Sequence, residues 1–257
     1  MNKYWHVWWT SAKLSISTQL VSRGASSVFV IGKLFRFASF VYFLFILGGN
    51  VKEVAGYSFT SLLTFFLIFN LFDIFGQLFF RGIYWFRQQV ITGEFDFRLV
   101  KPISPLFQAL TRQTDVLDLP ILLVVIVALI RLGVSWTPME MIVFILASIA
   151  GVILSTSIHI FVAALGVLTT EVDHTMWIYR DLSLMARFPI DIYTDFLRAL
   201  LTFVLPVGII FTFPAKAFMG ILGINNLLIA IVMAGVFYYL SILFWRYSLT
   251  KYSSASS

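Results

Sequence analysis

The sequence of 257 residues contains no cysteine and little charge, since Asp, Glu, Lys and Arg together make up only 12% of it. Without cysteine, the chain forms no disulfides and no thiolate metal sites. The three histidines, His6, His159 and His174, do not show the spacing of metal ligands, so a zinc site is not expected. No Ser, His and Asp arrangement marks a nucleophile elbow, and enzymatic catalysis is not expected either.

The sequence also lacks the glycine-rich loop that cradles the phosphates of ATP, which ends in Gly-Lys-Ser/Thr. The only Gly-Lys pair, Gly32-Lys33, is followed by Leu34, has Ser27 in place of the first glycine and lies in an apolar run. The chain is therefore not expected to bind a nucleotide by this device. Any energy from ATP must come from another protein.

Apolar residues are abundant: 60% of the chain is hydrophobic and 18% is aromatic, including 28 Phe. A soluble single-domain protein cannot bury so large an apolar share. The apolar stretches recur at nearly the length that crosses a bilayer, and helices satisfy their own backbone hydrogen bonds in lipid. The composition predicts an all-α membrane protein.

The apolar pattern predicts a single transmembrane domain over residues 1–257 with six helical spans. They are expected at about residues 34–48, 59–80, 119–132, 141–168, 196–211 and 227–245. Residues 1–33 are predicted to be a cytoplasmic or interfacial segment with an amphipathic helix. Residues 213–226, broken by Pro214, Gly220 and Gly223, are predicted to be an external re-entrant element, and residues 246–257 a cytoplasmic tail with a disordered, Ser-rich end.

The basic residues predict the orientation. Six spans put both termini on one face, and 15 of the 18 Lys and Arg residues then fall on that face, leaving Lys52, Arg131 and Lys216 on the other. The positive-inside rule makes the termini and the long loops 81–118 and 169–195 cytoplasmic. We expect a multi-pass protein of the cell inner membrane that contacts lipid, and no basic patch suited to nucleic acid is present.

Two stretches between the predicted spans carry a family resemblance. The first runs from Gly93 to Pro105 and reads Gly-Glu-Phe-Asp-Phe-Arg-Leu-Val-Lys-Pro-Ile-Ser-Pro. The second runs from Arg187 to Tyr193 and is followed by Pro206 and by Phe213-Pro214-Ala215. In order and placement these stretches resemble the permease subunits of ABC-2 exporters, in the branch whose loop reads Gly, then Asp, Leu, a basic residue and Pro-x-Ser-Pro. The resemblance covers the chain from the first predicted span to the last.

The resemblance implies a transport subunit without its own nucleotide-binding domain, and hence no enzyme. Two permeases, identical or homologous, form the translocation path as a dimer in this class, and separate cytosolic ABC ATPase subunits bind ATP and Mg. No cofactor is implied for this chain. The substrates of the class include drugs, lipids and polysaccharides, and the sequence does not select among them.

In this class the loop between spans two and three forms a coupling helix that docks into a groove of the ATPase. Residues 88–97 fit such a role, because aromatic and charged side chains alternate there, a glycine can end the helix and prolines can stiffen its exit. An amphipathic connector at the lipid headgroups is the alternative. The expected coupling residues are Arg87, Gly93, Glu94, Phe95, Asp96, Arg98, Lys101 and Pro102.

Asp73 and His159 are candidates for the translocation path because both fall within predicted spans. A carboxylate there costs about 2.5–3.5 kcal/mol unless it is paired, protonated or facing water, and a salt bridge from Asp73 to Arg36 or Arg81 is the alternative. The hydroxyl residues around His159 also suit plain helix packing.

An ATP-independent secondary transporter or channel is the alternative function for the whole chain. It predicts several ion-coupling carboxylates deep in the spans, whereas Asp73 is the only acidic residue well inside one. An intramembrane enzyme or assembly factor is a third reading, and the catalytic residues at matched depth that it requires are not found.

Overall fold

The computed structural model describes residues 2–169 and 175–253, and this part of the chain is α-helical without a β-strand, which confirms the predicted fold class. The Ser-rich end of the predicted tail and residues 170–174 of the predicted loop 169–195 lie outside the described residues. The helices are α1 (Asn2–Leu20), α2 (Arg23–Asn50), α3 (Phe59–Phe79), α4 (Ile83–Ile91), α5 (Asp96–Leu99), α6 (Pro105–Thr111), α7 (Leu119–Arg131), α8 (Pro138–Leu168), α9 (Thr175–Ser183), α10 (Asp195–Ala199), α11 (Phe213–Phe218) and α12 (Ile224–Lys251). Short 3₁₀ turns occupy Val116–Asp118, Leu184–Arg187 and Ile190–Ile192, and π-helical turns occupy Leu200–Val204 and Gly208–Thr212.

Four helical runs are long and apolar enough to cross a membrane: Gly24–Asn50, Phe59–Ile91, Pro138–Leu168 and Ile224–Lys251. Two bent pairs pass the same test when each pair is taken together. Pro105–Thr111 and Val116–Arg131 meet at 44°, whereas Asp195–Val204 and Gly208–Phe218 meet at 84°. Length and composition therefore allow four to six crossings.

Local capping signals fix where several helices begin. The side chain of Ser58 accepts a hydrogen bond from the backbone N–H of Ser61 at the start of α3. Thr137 and Glu140 form a capping box at the start of α8, with Pro138 in the first turn, where its missing N–H costs nothing. The sequence thus sets these helix starts without help from tertiary contacts.

Both ends of the described chain lie at one face of the bundle, which we call the terminal face. The ring of Tyr4 lies 4.9 Å from that of Phe107, and the hydroxyl of Tyr252 donates a 2.8 Å hydrogen bond to Asp96. The N-terminal helix and the end of α12 therefore contact the same segment, residues 81–115. The opposite face carries the turn at residues 51–58, and we call it the distal face.

The helix of the first crossing is longer than predicted. The sequence placed residues 1–33 in an interfacial segment and the span at residues 34–48, whereas α2 runs unbroken from Arg23 to Asn50. The reason is electrostatic. The ammonium group of Lys33 is paired with Asp115 and Asp118, so its charge does not hold this part of the helix at the membrane surface. Of the predicted segment 1–33, only residues 2–20 form a helix separate from the first crossing.

The stretch 175–192 runs beside α3 from one face to the other. At its start the ring of Trp177 lies 5.1 Å from that of Tyr84, which follows α3 at the terminal face. At its end Asp191 accepts a 2.8 Å hydrogen bond from the hydroxyl of Tyr57, which precedes α3 at the distal face. This stretch therefore connects the two faces, whereas the sequence predicted a cytoplasmic loop here because of its charged residues.

Residues 195–218 form a hairpin whose two limbs meet at 84° and whose two ends lie at the distal face, and we call it the re-entrant hairpin. The ammonium group of Lys216 lies 2.8 Å from the carboxylate of Asp191, so the two ends of the hairpin meet. The ends of a true crossing are separated by the hydrocarbon core, about 30 Å thick. The bent pair thus enters and leaves at the distal face.

The prolines explain where the helices break in the region of the predicted span 196–211 and the predicted re-entrant element 213–226. Pro206 has no N–H and forces Leu205 out of the helical region, to φ −114° and ψ 83°, which breaks the predicted span in its middle. Pro214 instead sits in the first turn of α11, where proline is tolerated, so the helical run from Gly208 continues to Phe218. The chain then turns and starts α12 at Ile224.

The described chain passes between the terminal and distal faces six times, and we call these passages crossings: α2, α3, α6 with α7, α8, residues 175–192, and α12. Residues 175–192 are not among the runs that are long and apolar enough to span a membrane by themselves. The core lies between the crossings, where Phe65, Phe69 and Leu154 are fully buried and α8 packs along α12. The re-entrant hairpin inserts between α3 and α8, and the ring of Phe69 lies 4.9 Å from that of Phe211.

This topology predicts which face exposes Asp195, whose side chain is 96% exposed. The chain contains no cysteine, so a single introduced cysteine is its only thiol. In intact cells a membrane-impermeant maleimide should label Asp195→Cys from the same side as Lys52→Cys and from the opposite side to Thr92→Cys. Labelling of Asp195→Cys from the same side as Thr92→Cys would contradict this topology. It would support the cytoplasmic loop 169–195 predicted from the sequence.

Candidate functional site

A charged cavity of about 570 Å³ opens in the half of the bundle nearer the terminal face. Its walls come from α2, α3, the turn before α7, and α9, which belong to three different crossings and the approach to a fourth. Its lining combines cations, carboxylates and apolar side chains: Val28, Phe29, Gly32, Lys33, Arg36, Asp73, Gln77, Arg81, Asp115, Asp118, Trp177 and Arg180. Three crossings thus contribute ionisable groups to one space.

One wall of the cavity is a closed ion cluster. The ammonium group of Lys33 lies 3.0 Å from Asp115 and 2.6 Å from Asp118, and Arg81 lies 3.5 Å from Asp115. These side chains are mostly shielded from solvent, with 12% exposure for Lys33 and 5% for Asp115. Two cations face two carboxylates, so the cluster is neutral and ties α2 to the start of α7. Pairing of this kind is what allows charged groups to leave water.

The other charged residues that line the cavity, Arg36, Asp73 and Arg180, lie outside this ion cluster. Arg36 is exposed on α2, and the guanidinium of Arg180 lies over the ring of Trp177 at 5.6 Å. Both cations are close enough to Asp73 to act on it electrostatically. Within the described part of the chain no ion pair of 4.0 Å or less joins Asp73 to either of them, and Arg81 pairs with Asp115 instead. The salt bridge that was the alternative for Asp73 is therefore not formed, and Asp73 faces the cavity.

His159, the other residue predicted for the path, lies in the core. It is 4% exposed, its Nδ1 lies 2.6 Å from the carbonyl oxygen of Ser155, and its ring contacts that of Phe80. This hydrogen bond assigns the ring proton to Nδ1. His159 reaches only a small void of about 20 Å³, which Asp73 also lines. The geometry favours packing for His159 and the open cavity for Asp73.

Sequence reasoning missed Arg36 and Arg180 as site residues. Arg36 was assigned to the basic approach to the first span, and Arg180 to a cytoplasmic loop. A detectable signal did exist, because an arginine near the middle of a long apolar helix is rare and functional by default. Recognising it required knowing that α2 starts at Arg23.

The predicted coupling segment folds into α4, α5 and α6 around a buried aromatic residue. Phe95 is fully buried and contacts the rings of Phe86 at 5.1 Å and Tyr252 at 5.2 Å. Gly93 has φ +76°, a left-handed conformation that glycine adopts without strain, and it ends α4. Phe95 is thus an internal anchor of the segment, so it does not belong to the exposed aromatic surface predicted for docking.

Polar contacts hold the same segment together. Asp96 accepts the hydrogen bond of Tyr252, and this contact, added to burial, raises the pKa of the tyrosine to about 12. Arg98 is only 3% exposed, and burial, with the nearby cation Arg112, lowers the pKa of its guanidinium to about 10. Arg112 itself lies 3.5 Å from Glu94 across the surface.

The exposed tip of the segment mixes apolar and charged side chains. Phe97 is 72% exposed and Val100 83%, and Glu94, Lys101 and Pro102 are exposed beside them. The predicted coupling residues therefore differ in exposure. Glu94, Lys101 and Pro102 face outward, whereas Phe95 and Arg98 are internal, Arg87 and Asp96 are half-buried, and Gly93 makes the turn.

The ion cluster predicts a stability change. Replacing Lys33 with Met leaves two shielded carboxylates facing one cation, and removal of one partner of a buried pair costs up to about 3–5 kcal/mol. We expect Lys33→Met to lower the melting temperature in detergent well below that of the matched surface change Lys52→Met. Adding Asp118→Asn restores the charge balance and should recover most of the loss. Equal melting temperatures for Lys33→Met and Lys52→Met would contradict the role given to the cluster.

Comparison with known proteins agrees with this architecture. A family model described as "ABC-2 family transporter protein" matches residues 34–256, which is most of the chain. No curated protein and no solved structure matches the chain. The matched region contains all the described crossings except the first turns of α2, and it includes the coupling segment. The chain is a multi-pass membrane protein that belongs to the ABC-2 family of transporter proteins.

Proposed function

We propose that this chain is the membrane-spanning permease subunit of an ATP-binding cassette exporter. In this proposal it forms the translocation path with a second permease, identical or homologous, and is driven by separate cytosolic ATPase subunits that bind ATP and Mg. The family supports a transport role. The observation that supports coupling is the folded segment α4–α6. Its base is buried around Phe95, and its tip exposes Phe97 and Val100.

The tip has the composition of a docking surface. Binding energy at protein interfaces concentrates in a few large apolar or aromatic side chains surrounded by polar ones. Phe97 and Val100 supply exposed apolar area, and Glu94 and Lys101 supply charge of both signs. A headgroup-facing connector needs no such rigid base, whereas a segment that transmits force does.

The orientation follows from the same segment. An ATPase in the cytosol requires residues 81–115 on the cytoplasmic side, which places both termini there, and in a bacterial cell the membrane is the inner one. The terminal face contains the five basic residues of the segment 81–115. The positive-inside rule therefore also favours a cytoplasmic location for this face. Labelling of Thr92→Cys only after permeabilisation tests this orientation.

The proposal is tested by asking what copurifies with the chain. We expect a tagged copy, purified in mild detergent from its native host, to bring down a second chain that contains a phosphate-binding loop, and the complex to hydrolyse ATP. Mass spectrometry identifies the partner, and phosphate release measures the activity. Recovery of the permease without any nucleotide-binding chain, in several detergents, would favour the ATP-independent transporter.

Three phenylalanine variants separate docking from folding. Phe97→Ala should weaken ATPase retention by at least about tenfold without changing the melting temperature, because an exposed interface aromatic is lost. Phe196→Ala is the matched control, since Phe196 is 76% exposed but lies on the distal hairpin. Phe95→Ala should instead cost about 3–5 kcal/mol of stability by opening a core cavity. Retention of the ATPase by Phe97→Ala at the level of Phe196→Ala would remove the tip from the coupling role.

A further inference from the structure

The charged cavity has more positive charge than its own carboxylates neutralise. Lys33 and Arg81 are matched by Asp115 and Asp118. The rest of the lining holds Arg36 and Arg180 against the single carboxylate of Asp73, so one positive charge is left over if all are ionised. The cavity therefore has unused capacity for an anion.

The two open arginines suit an oxyanion in particular. A guanidinium presents several N–H donors in one plane, which match the oxygens of a phosphate or carboxylate. The guanidinium of Arg180 lies over the ring of Trp177 at 5.6 Å, and the ion pairs of the described residues do not include it. Arg36 enters the same cavity from α2, so the two donors come from different crossings.

The other part of the lining is apolar and open. Val28 is 71% exposed, Phe29 49% and Trp177 45%, although all three line the cavity. In an 18-residue apolar stretch of α2, only 6% of the residues are buried by the rest of the described chain. The α2 wall of the cavity is therefore largely uncovered. A ligand that fills this space touches charge at one end and apolar side chains at the other.

We propose that the cavity binds the anionic headgroup of an amphiphile, a phosphate or carboxylate attached to an apolar tail, and that Arg36 and Arg180 hold the headgroup. The tail lies along Val28 and Phe29. This assignment names a substrate class for the transport path and so rests on the proposed function. A cationic cargo is disfavoured, because it would place its charge among Arg36, Arg180 and the nearby Arg187, whose fields all reach Asp73.

Direct binding tests the assignment. The probe is short-chain dioctanoyl phosphatidic acid, added to delipidated protein in neutral detergent. The reference is dioctanoyl phosphatidylcholine, whose zwitterionic headgroup carries no net charge because a quaternary ammonium offsets its phosphate. We expect the wild type to bind the anionic probe at least about tenfold more tightly than the reference. Arg36→Gln with Arg180→Gln should abolish that preference, whereas Arg246→Gln, a matched change of an exposed cation at the terminal face, should retain it.

A second variant is expected to raise the affinity for the anionic probe, so this test does not rely on a loss of binding. Asp73→Asn removes the competing carboxylate and should raise affinity for the anionic probe several-fold while leaving phosphatidylcholine binding unchanged. Melting temperatures confirm that each variant is folded. An unchanged preference in the double arginine variant, or no gain in Asp73→Asn, would overturn the proposal.

Competition with anions that have no tail distinguishes an amphiphile from a soluble anion as the ligand of the cavity. Inorganic phosphate and glycerol 3-phosphate carry the same oxyanion without a tail, and we expect them to displace the probe only at far higher concentrations. Displacement at equal concentration would overturn the amphiphile and assign the cavity to a soluble anion.

The outcome is separable from that of the proposed function. Binding is measured without an ATPase, so an arginine-dependent preference in a chain that brings down no ATPase would retain the site and reject the exporter. A complex that contains the ATPase but shows no preference for the anionic probe would support the exporter and reject the headgroup site. In the intact complex, the anionic probe should also raise ATP hydrolysis, and the double variant should not respond.

Discussion

The cost of placing charge in lipid shapes this structure more than any other constraint. A lone charged side chain in a bilayer needs a partner, water or an escape to the surface. The cluster of Lys33, Asp115 and Asp118 supplies the partner, and it lets α2 continue as one helix through residues that would otherwise lie at the surface. The same constraint leaves Arg36 and Arg180 beside an open cavity, where water or a ligand can reach them.

A second pairing, between Asp191 and Lys216, decides the shape of the distal half. It joins the end of the fifth crossing to the returning limb of the hairpin, and the hydroxyl of Tyr57 adds a contact to the loop before α3. Burial and the hydrogen bond to Asp191 raise the pKa of the Tyr57 hydroxyl above its ordinary value. Three separate parts of the sequence therefore meet at one carboxylate.

The sequence predicted what depends on local pattern and missed what depends on partners. The continuous apolar runs of α3, α8 and α12 were located to within a few residues, because no charge interrupts them for long. The crossing at residues 175–192 was not predicted, because Arg180, Asp181 and Arg187 make it resemble a loop. Arg180 lines the cavity and Arg187 lies over two phenylalanine rings, whereas Asp181 is exposed. The coupling role of residues 87–102 stays a prediction. Their burial pattern was not predicted, because nothing in the sequence shows that Phe95 meets the end of α12.

Helix α12 has a mechanical consequence. It runs from Ile224 to Lys251 without a proline, about 42 Å at the usual rise, and it is held at both ends. Near one end Trp245 lies against Phe95 of the coupling segment, and near the other Leu227 packs with Ala217 of the hairpin. A rod of this kind tilts or slides as a unit, whereas the fifth crossing, made of short turns, has joints that can bend. In the proposed exporter, force applied at the tip of the coupling segment would reach the distal face along α12, and the fifth crossing would be the part that bends.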